Sequence, residues 1–234
     1  MVLDLSADLT IGVRVRWVRF GLLTLVGVLL VLDELVLSSR FFLGHGRLGG
    51  LYGLFDLDVE TSVSTFVQST FLVAAAVLLW LLGRADVRIR TVAWILAAAT
   101  LWVAVDEASQ VHELLIVPID RLLDTGGVFR YGWVIPGLVV AVGVIVLTVR
   151  LLRVLDRDVA RLLVLGGGLY LLGALGLEML GGAWLDAGGS EAGYRMVFTS
   201  VEESLEGVGL VLALTALLEA LRRTAPRVVV DLDP

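Results

Sequence analysis

The sequence predicts an all-α, polytopic integral membrane protein with six transmembrane helices, folded as a helical bundle with both termini in the cytoplasm. Of the 234 residues, 58% are hydrophobic and 18% are charged, whereas soluble domains have about 45–50% apolar and about 25% charged residues. The mean hydropathy is +0.94. Six separate apolar stretches are each close to the length of about 20 residues that crosses a bilayer.

The apolar stretches define the predicted elements in chain order. We predict spans at about 17–37, 64–83, 91–113, 133–150, 162–181 and 201–221, within a single transmembrane domain over 1–234. The first stretch follows several arginines, as a signal peptide would, but no A-x-A-like cleavage site ends it, so we interpret it as an uncleaved span. Glycines such as Gly166–Gly168 predict close helix packing in the fifth span.

The arginines predict the orientation of these spans. The chain has 18 arginines and no lysine, and 13 of the arginines lie in the four segments that an N-in topology places inside. Cytoplasmic flanks of membrane proteins are rich in Arg and Lys, so we expect both termini in the cytoplasm. The same topology assigns 5 arginines and 16 of the 24 acidic residues to the outer side and the outer part of the membrane.

Polar side chains fall at one depth inside the apolar stretches. At about 1.5 Å per residue from the inner arginines, Asp33, Asp106 and Glu206 lie roughly 21–24 Å into a hydrocarbon layer about 30 Å thick. Charged groups in a membrane face the bundle interior or a water-filled cavity, and closely spaced carboxylates cannot all ionise. Protons, bound cations or the outer arginines must therefore compensate a polar layer that also contains Glu34, Gln68, Glu107, Glu178, Glu202 and Glu203.

The motif Asp106-Glu107-x4-His112-Glu113 carries the most titratable groups. On one straight helix Asp106 and Glu113 share a side, His112 lies further round that side, and Glu107 points about 100° away from Asp106. One ion would therefore need ligands from other helices as well. The alternative is that His112 and Glu113 have already emerged at the outer interface and are simply hydrated.

The motif Glu202-Glu203-x2-Glu206 opens the sixth predicted span. Glu206 is one helical turn from both Glu202 and Glu203, and such a pair can chelate a hard cation. Ser200-x-x-Glu203 is also typical of a capping box at a helix start. Capping accounts for Glu203 but not for Glu206, which lies deeper in the span.

Two further groups of acids have competing interpretations. Asp56-x-Asp58-x-Glu60 begins like a calcium loop but lacks the glycine and the closing glutamate of one; it is either a carboxylate lid over the polar layer or a segment before a helix cap at Thr61 or Ser62. The acids Asp33, Glu34 and Glu178 lie near helix C-termini, where the helix dipole disfavours negative charge; they are either functional or interfacial acids hydrogen-bonded to a neighbouring helix.

These motifs together resemble an uncharacterised family of small bacterial six-span membrane proteins. The residues that carry the resemblance are the FDLDxE segment at Phe55–Glu60, the Asp106-Glu107…His112-Glu113 motif and Glu202-Glu203…Glu206. The resemblance implies a prokaryotic plasma (inner) membrane location and one shared constellation of acids. It implies no activity.

Three functions fit these observations, and whether the protein is an enzyme stays open. The first is a cation- or metal-binding cavity in the outer leaflet, with cation transport as its activity; carboxylate-rich ligation favours a hard divalent ion such as Ca²⁺, Mn²⁺ or Mg²⁺ over Zn²⁺. The second is an intramembrane metal-dependent enzyme acting on a lipid-type substrate. The third is a non-catalytic assembly subunit, either a homo-oligomer or bound to a membrane partner.

The predicted metal ligands are Asp106, Glu107, His112, Glu113, Glu178, Glu202 and Glu206, supported by a polar layer of Asp33, Glu34, Asp56, Asp58, Glu60, Gln68 and Glu203. The composition excludes a nucleic-acid-binding module and makes the lipid bilayer the expected environment. Because the chain contains no cysteine, disulfides and thiolate-held metals are excluded.

Overall fold

The computed structural model describes residues 12, 14–44, 50–57, 59 and 61–226. Over these ranges the chain is helical and contains no strand. Two short helices, α2 (Leu51–Phe55) and α5 (Ile116–Leu123), lie in connecting segments. The other six are long and apolar enough to cross a membrane: α1 (Val15–Leu43), α3 (Val63–Ala85), α4 (Arg90–Ser109), α6 (Val134–Leu152), α7 (Arg157–Asp186) and α8 (Glu191–Thr224).

All six predicted spans are present as helices, and their ends differ at two important places. The helix α4 ends at Ser109 because Gln110 adopts a left-handed conformation with φ of 56°, so the third span is shorter than predicted. The helix α8 begins at Glu191, where the Ser190 side chain accepts a hydrogen bond from Gly193 N–H at 3.1 Å. Ser200 is therefore inside a helix, and the capping-box interpretation of Ser200 and Glu203 is wrong.

The last helix, α8, forms the centre of the bundle. It packs against α1, α3 and α7, while α4 packs on α3 and also contacts α6. Val211 and Ala216 of α8 are fully buried. In the most apolar 18-residue stretch of this helix, 61% is buried inside the structure. A helix that is apolar on all sides belongs in the middle of a bundle.

The helices α7 and α8 touch at their backbones. A Cβ atom at Gly166 would lie 2.6 Å from the Ala213 nitrogen, and one at Gly209 would lie 2.6 Å from the Tyr170 nitrogen. Small residues permit this approach between membrane helices. The predicted role of the Gly166–Gly168 run is thus confirmed for Gly166, whereas a Cβ at Gly167 or Gly168 would meet no atom within 4 Å.

Both α7 and α8 contain a π-helical segment, which the sequence did not reveal. The segments are Leu172–Leu177 in α7 and Tyr194–Thr199 in α8. Each lies just before an acidic residue of the polar layer, Glu178 in one case and Glu202 in the other. Wide turns of this kind are rare and occur frequently at functional sites.

Candidate functional site

Five glutamates form a group between the helices, at the end of the bundle opposite the start of α1 and the end of α8. We call this group the acid cluster; it consists of Glu107 of α4, Glu178 of α7, and Glu202, Glu203 and Glu206 of α8, whose charges interact. Glu206 is buried, and the other four are half-buried. Three helices therefore bring these residues of the predicted polar layer together at one place.

Glu206 is buried by the close passage of the α7 backbone. A Cβ atom at Gly173 would lie 2.7 Å from Glu206 Cγ and 2.8 Å from the Glu202 carbonyl oxygen. Because Gly173 belongs to the π segment of α7, this irregular turn lies directly against the glutamates of α8. The contact explains why Glu206, the acid that capping could not explain, is the most enclosed member of the acid cluster.

Gln68 of α3 joins the acid cluster through one end of its amide. Its Nε2 donates a hydrogen bond to Glu203 Oε2. The side chain is only 4% exposed, and its Oε1 has no hydrogen-bond partner in the described part of the chain. Gln68 and Glu203 both line a cavity of about 10 Å³, which is room for roughly one water molecule. A buried acceptor beside a carboxylate calls for a ligand that donates hydrogen bonds or carries positive charge.

Asp106 and His112 form a hydrogen-bonded pair at the edge of the acid cluster. Asp106 Oδ1 accepts from the His112 backbone N–H at 2.8 Å, and Asp106 Oδ2 lies 3.0 Å from His112 Nδ1. The imidazole ring packs on Trp133 with 4.6 Å between ring centroids, and Trp133 Nε1 donates to Glu178 Oε1 at 3.2 Å. The straight-helix geometry predicted for this motif is wrong beyond Ser109, since the chain turns there and returns His112 to Asp106.

Asp33 and Asp56 hold a connecting segment against the helices. Asp33 accepts hydrogen bonds from Leu57 N–H at 3.0 Å and from Ser200 Oγ at 3.2 Å, and it is 1% exposed. Asp56, also 1% exposed, forms an ion pair with Arg195. Burial raises the pKa of Asp56, although Arg195 acts in the opposite direction. Both carboxylates thereby fasten the segment around α2 to α1 and α8.

The remaining predicted residues have different positions. Glu34 is half-buried beside Asp33, whereas Glu113 is exposed and lies in the turn after α4. Asp58 and Glu60 lie outside the described residues, so the predicted carboxylate lid is represented by Asp56 alone. Ser62 is the N-cap of α3, where its side chain accepts from Thr65 N–H at 3.2 Å. That finding confirms the cap interpretation at Ser62.

The predicted metal ligands are brought near one another without forming a ready metal site. Within the described ranges, no three His, Asp or Glu side chains are arranged to hold a metal ion. Three of the acids have other partners: Glu203 bonds Gln68, Glu178 bonds Trp133 and Asp106 bonds His112. The hard divalent ion expected from the sequence stays a prediction.

A family model described as Domain of unknown function (DUF8692) matches residues 22–220. The chain belongs to this family. The matched DUF8692 region contains the whole acid cluster and the Asp106–His112 pair. No curated protein and no solved structure matches the chain. Membership in DUF8692 agrees with the resemblance to an uncharacterised family and supplies no activity.

Two tyrosines complete this site in the DUF8692 chain and were not predicted. Tyr170 of α7 is within electrostatic range of Glu206, Glu107 and other acids, and Tyr194 of α8 is within range of Glu178 and Glu202. For Tyr170, the signal available in the sequence was a tyrosine inside an apolar stretch; Tyr194 lies outside the predicted spans. The spacing of these tyrosines from the acids carried no information, because the two π segments change the helical register between them.

Proposed function

We propose that this protein binds and exchanges a cation at the acid cluster inside a membrane, with the proton as the first ligand. One observation carries the proposal: five carboxylates from three helices act on one another. Among the described residues, the basic side chain that most affects them is His112. Negative charge at this density in a low-dielectric interior requires compensation by protons or by another cation.

The side chains in and beside the acid cluster favour the proton over a divalent ion as its ligand. Carboxyl groups and imidazoles are the side chains that exchange protons near neutral pH, and the acid cluster is bordered by the Asp106–His112 pair. A divalent ion would have to draw carboxylates together, since the described residues offer no ready group of three ligands. The unpartnered Gln68 Oε1 suits water or a protonated ligand in the small cavity beside Glu203.

Cation transport is the activity that such a site would serve. Ionisable side chains inside membrane spans commonly mark ion pathways and proton relays. In this chain the acid cluster adjoins π segments in both α7 and α8, and irregular helix turns surround the ion sites of many transporters. The proposal therefore covers proton movement alone and proton exchange against a metal cation.

The test measures proton release from the purified protein when a cation is added. Protein in lipid vesicles containing a pH-sensitive dye is exposed in turn to Ca²⁺, Mn²⁺, Mg²⁺, Na⁺ and K⁺, and then to a pH step. We expect a saturable proton signal that Glu206→Gln abolishes. Asp120→Asn is the matched control, because Asp120 is an exposed carboxylate of α5 bonded to Thr125. Equal signals from wild type and Glu206→Gln would overturn the proposal.

We also propose a prokaryotic plasma-membrane location with both termini in the cytoplasm. The arginine distribution supports this orientation. The absence of cysteine makes labelling of single introduced cysteines straightforward. Val87→Cys and Leu122→Cys are suitable, since these side chains are 70% and 79% exposed in connections at opposite ends of the bundle. Only Leu122→Cys should react with a membrane-impermeant maleimide in intact cells; the reverse result would invert the topology.

A second candidate function is an enzyme that acts on a lipid-type substrate. The observation in its favour is the Asp106–His112 pair, because a carboxylate that orients an imidazole is a common general-base arrangement and Glu178 acts electrostatically on that imidazole. Turnover of membrane lipids that is lost in His112→Asn, without any cation response, would favour this candidate. A stable complex with another membrane protein and neither response would favour an assembly role.

A further inference from the structure

A cavity of about 270 Å³ opens at the end of the bundle where α1 begins and α8 ends, far from the acid cluster. It lies between the start of α1, the start of α7 and the end of α8. Val15, Val159 and Leu162 give it an apolar part, and its charged lining consists of Arg16, Arg19, Asp158, Glu219 and Arg223. The lining of the cavity thus combines apolar and charged side chains.

The acids of this cavity are already occupied by arginines of α8. Arg223 contacts Asp158 at 2.6 Å and Glu219 at 2.8 Å. Arg222 also donates two hydrogen bonds to Glu219, at 2.6 and 2.8 Å. These carboxylates are therefore neutralised from within the α7–α8 pair, and they leave little negative charge for other cations.

Arg16 and Arg19 supply the excess positive charge. Among the described residues, neither forms an ion pair with a carboxylate; Arg19 Nε donates to Thr215 Oγ1 at 3.1 Å, and the Arg16 guanidinium lies 5.5 Å from the centroid of the Trp17 ring. The two arginines are three residues apart and so lie on one side of α1. A guanidinium pair presents several N–H donors in the geometry that phosphate oxygens accept.

The position of the cavity suits an amphiphile. Trp17 is 57% exposed at the beginning of the apolar part of α1, and tryptophan is enriched at the membrane–water interface. Arg16 and Arg19 therefore lie at headgroup level, next to the apolar residues that line the cavity. Basic pockets between membrane helices are known sites for lipid headgroups.

We propose that this cavity binds the phosphate of an anionic glycerophospholipid through Arg16 and Arg19. The bound lipid bridges α1 to α7 and α8, alongside the hydrogen bond from Arg19 to Thr215. This site does not depend on the function proposed for the acid cluster, because the two lie at opposite ends of the bundle.

Native mass spectrometry of the full-length protein, released from membranes of defined lipid composition, tests the proposal. The probes are phosphatidylglycerol, phosphatidylcholine and inorganic phosphate. We expect one retained phosphatidylglycerol per chain, weakened about 30-fold in Arg16→Gln/Arg19→Gln, at about fivefold per arginine. The single variant Arg16→Gln, which removes no hydrogen bond to another helix, should show about a fivefold loss and keeps the test valid if the double variant does not fold.

The control is Arg150→Gln/Arg153→Gln. It removes two arginines with the same spacing, at the same end of the bundle, from the end of α6. This control should bind phosphatidylglycerol within about twofold of wild type. Equal losses in both double variants would reduce the effect to general surface charge and overturn the site. Equal retention of inorganic phosphate or phosphatidylcholine would overturn the assignment to an anionic lipid.

Discussion

Asp106 binds His112 through both carboxylate oxygens, one to the backbone N–H and one to the ring Nδ1. The pair forms because α4 ends at Ser109 and the left-handed Gln110 reverses the chain. The Asp106 carboxylate therefore holds His112 close to the end of a membrane-length helix, and the imidazole packs on Trp133 at the start of α6. Both contacts position His112 beside the acid cluster.

Replacement of Asp106 by alanine should loosen the turn that follows α4. The change removes the acceptor of the His112 amide, and a hydrogen bond to a charged group contributes about 1.5–3 kcal/mol. We expect amide exchange at His112 to become roughly 10- to 150-fold faster, measured by hydrogen–deuterium exchange with mass spectrometry. Glu113→Ala, an exposed acid in the same turn, should leave that exchange unchanged. Equal protection in Asp106→Ala and wild type would contradict the pairing.

Removal of Arg195 should destabilise the protein in a pH-dependent way. Arg195→Gln removes the ion-pair partner that α8 provides to the buried Asp56, and breaking a buried ion pair costs about 3–5 kcal/mol at neutral pH. Burial already holds the pKa of Asp56 above 3.8, and loss of Arg195 removes an influence that lowers it. The folded state then binds this proton more tightly than the unfolded state, so the deficit should shrink as the pH falls through the folded pKa toward 3.8.

The double variant Arg195→Gln/Asp56→Asn isolates this effect. Without the carboxylate, the pH-dependent part of the deficit should disappear, and the double variant should be more stable at neutral pH than Arg195→Gln alone. Thermal unfolding in detergent between about pH 4 and 8 provides the measurement. Asp124→Asn is the control, because Asp124 is exposed and its left-handed conformation accepts asparagine. A deficit independent of pH would contradict the role of Asp56.

Adding a methyl group at Gly166 should separate α7 from α8. The new Cβ would meet backbone atoms at 2.6 and 2.7 Å, and a backbone cannot move aside as a side chain can. Overpacking of this kind costs about 1–3 kcal/mol, so Gly166→Ala should lower the unfolding temperature. Gly167→Ala meets no atom within 4 Å and should be neutral or slightly stabilising, because alanine favours the helix. Equal effects of both substitutions would contradict the close packing.

Hydropathy was sufficient to predict the six helices, because the apolar length that crosses a membrane can be read from the chain directly. It also identified the residues of the acid cluster, since carboxylates are rare in such stretches. The ion pair between Asp56 and Arg195 joins residues 139 positions apart, and no local pattern encodes that separation. The π segments likewise depend on packing between α7 and α8, and with them the burial of Glu206 against Gly173.

Gln68 should tune the ligand response of the acid cluster more than the stability of the fold. Gln68→Leu introduces an apolar side chain of similar size and removes the hydrogen bond to Glu203 and the unpartnered oxygen. A cationic ligand bonded to that oxygen would lose a charge-assisted hydrogen bond, which corresponds to at least about tenfold weaker binding, so the proton signal should require at least about tenfold more cation. Thr70→Val is the control on the same helix, since the exposed Thr70 hydroxyl donates only to Phe66 O of its own helix. An unchanged response in Gln68→Leu would place the ligand away from Glu203, whereas a change in both variants would indicate a general disturbance of α3.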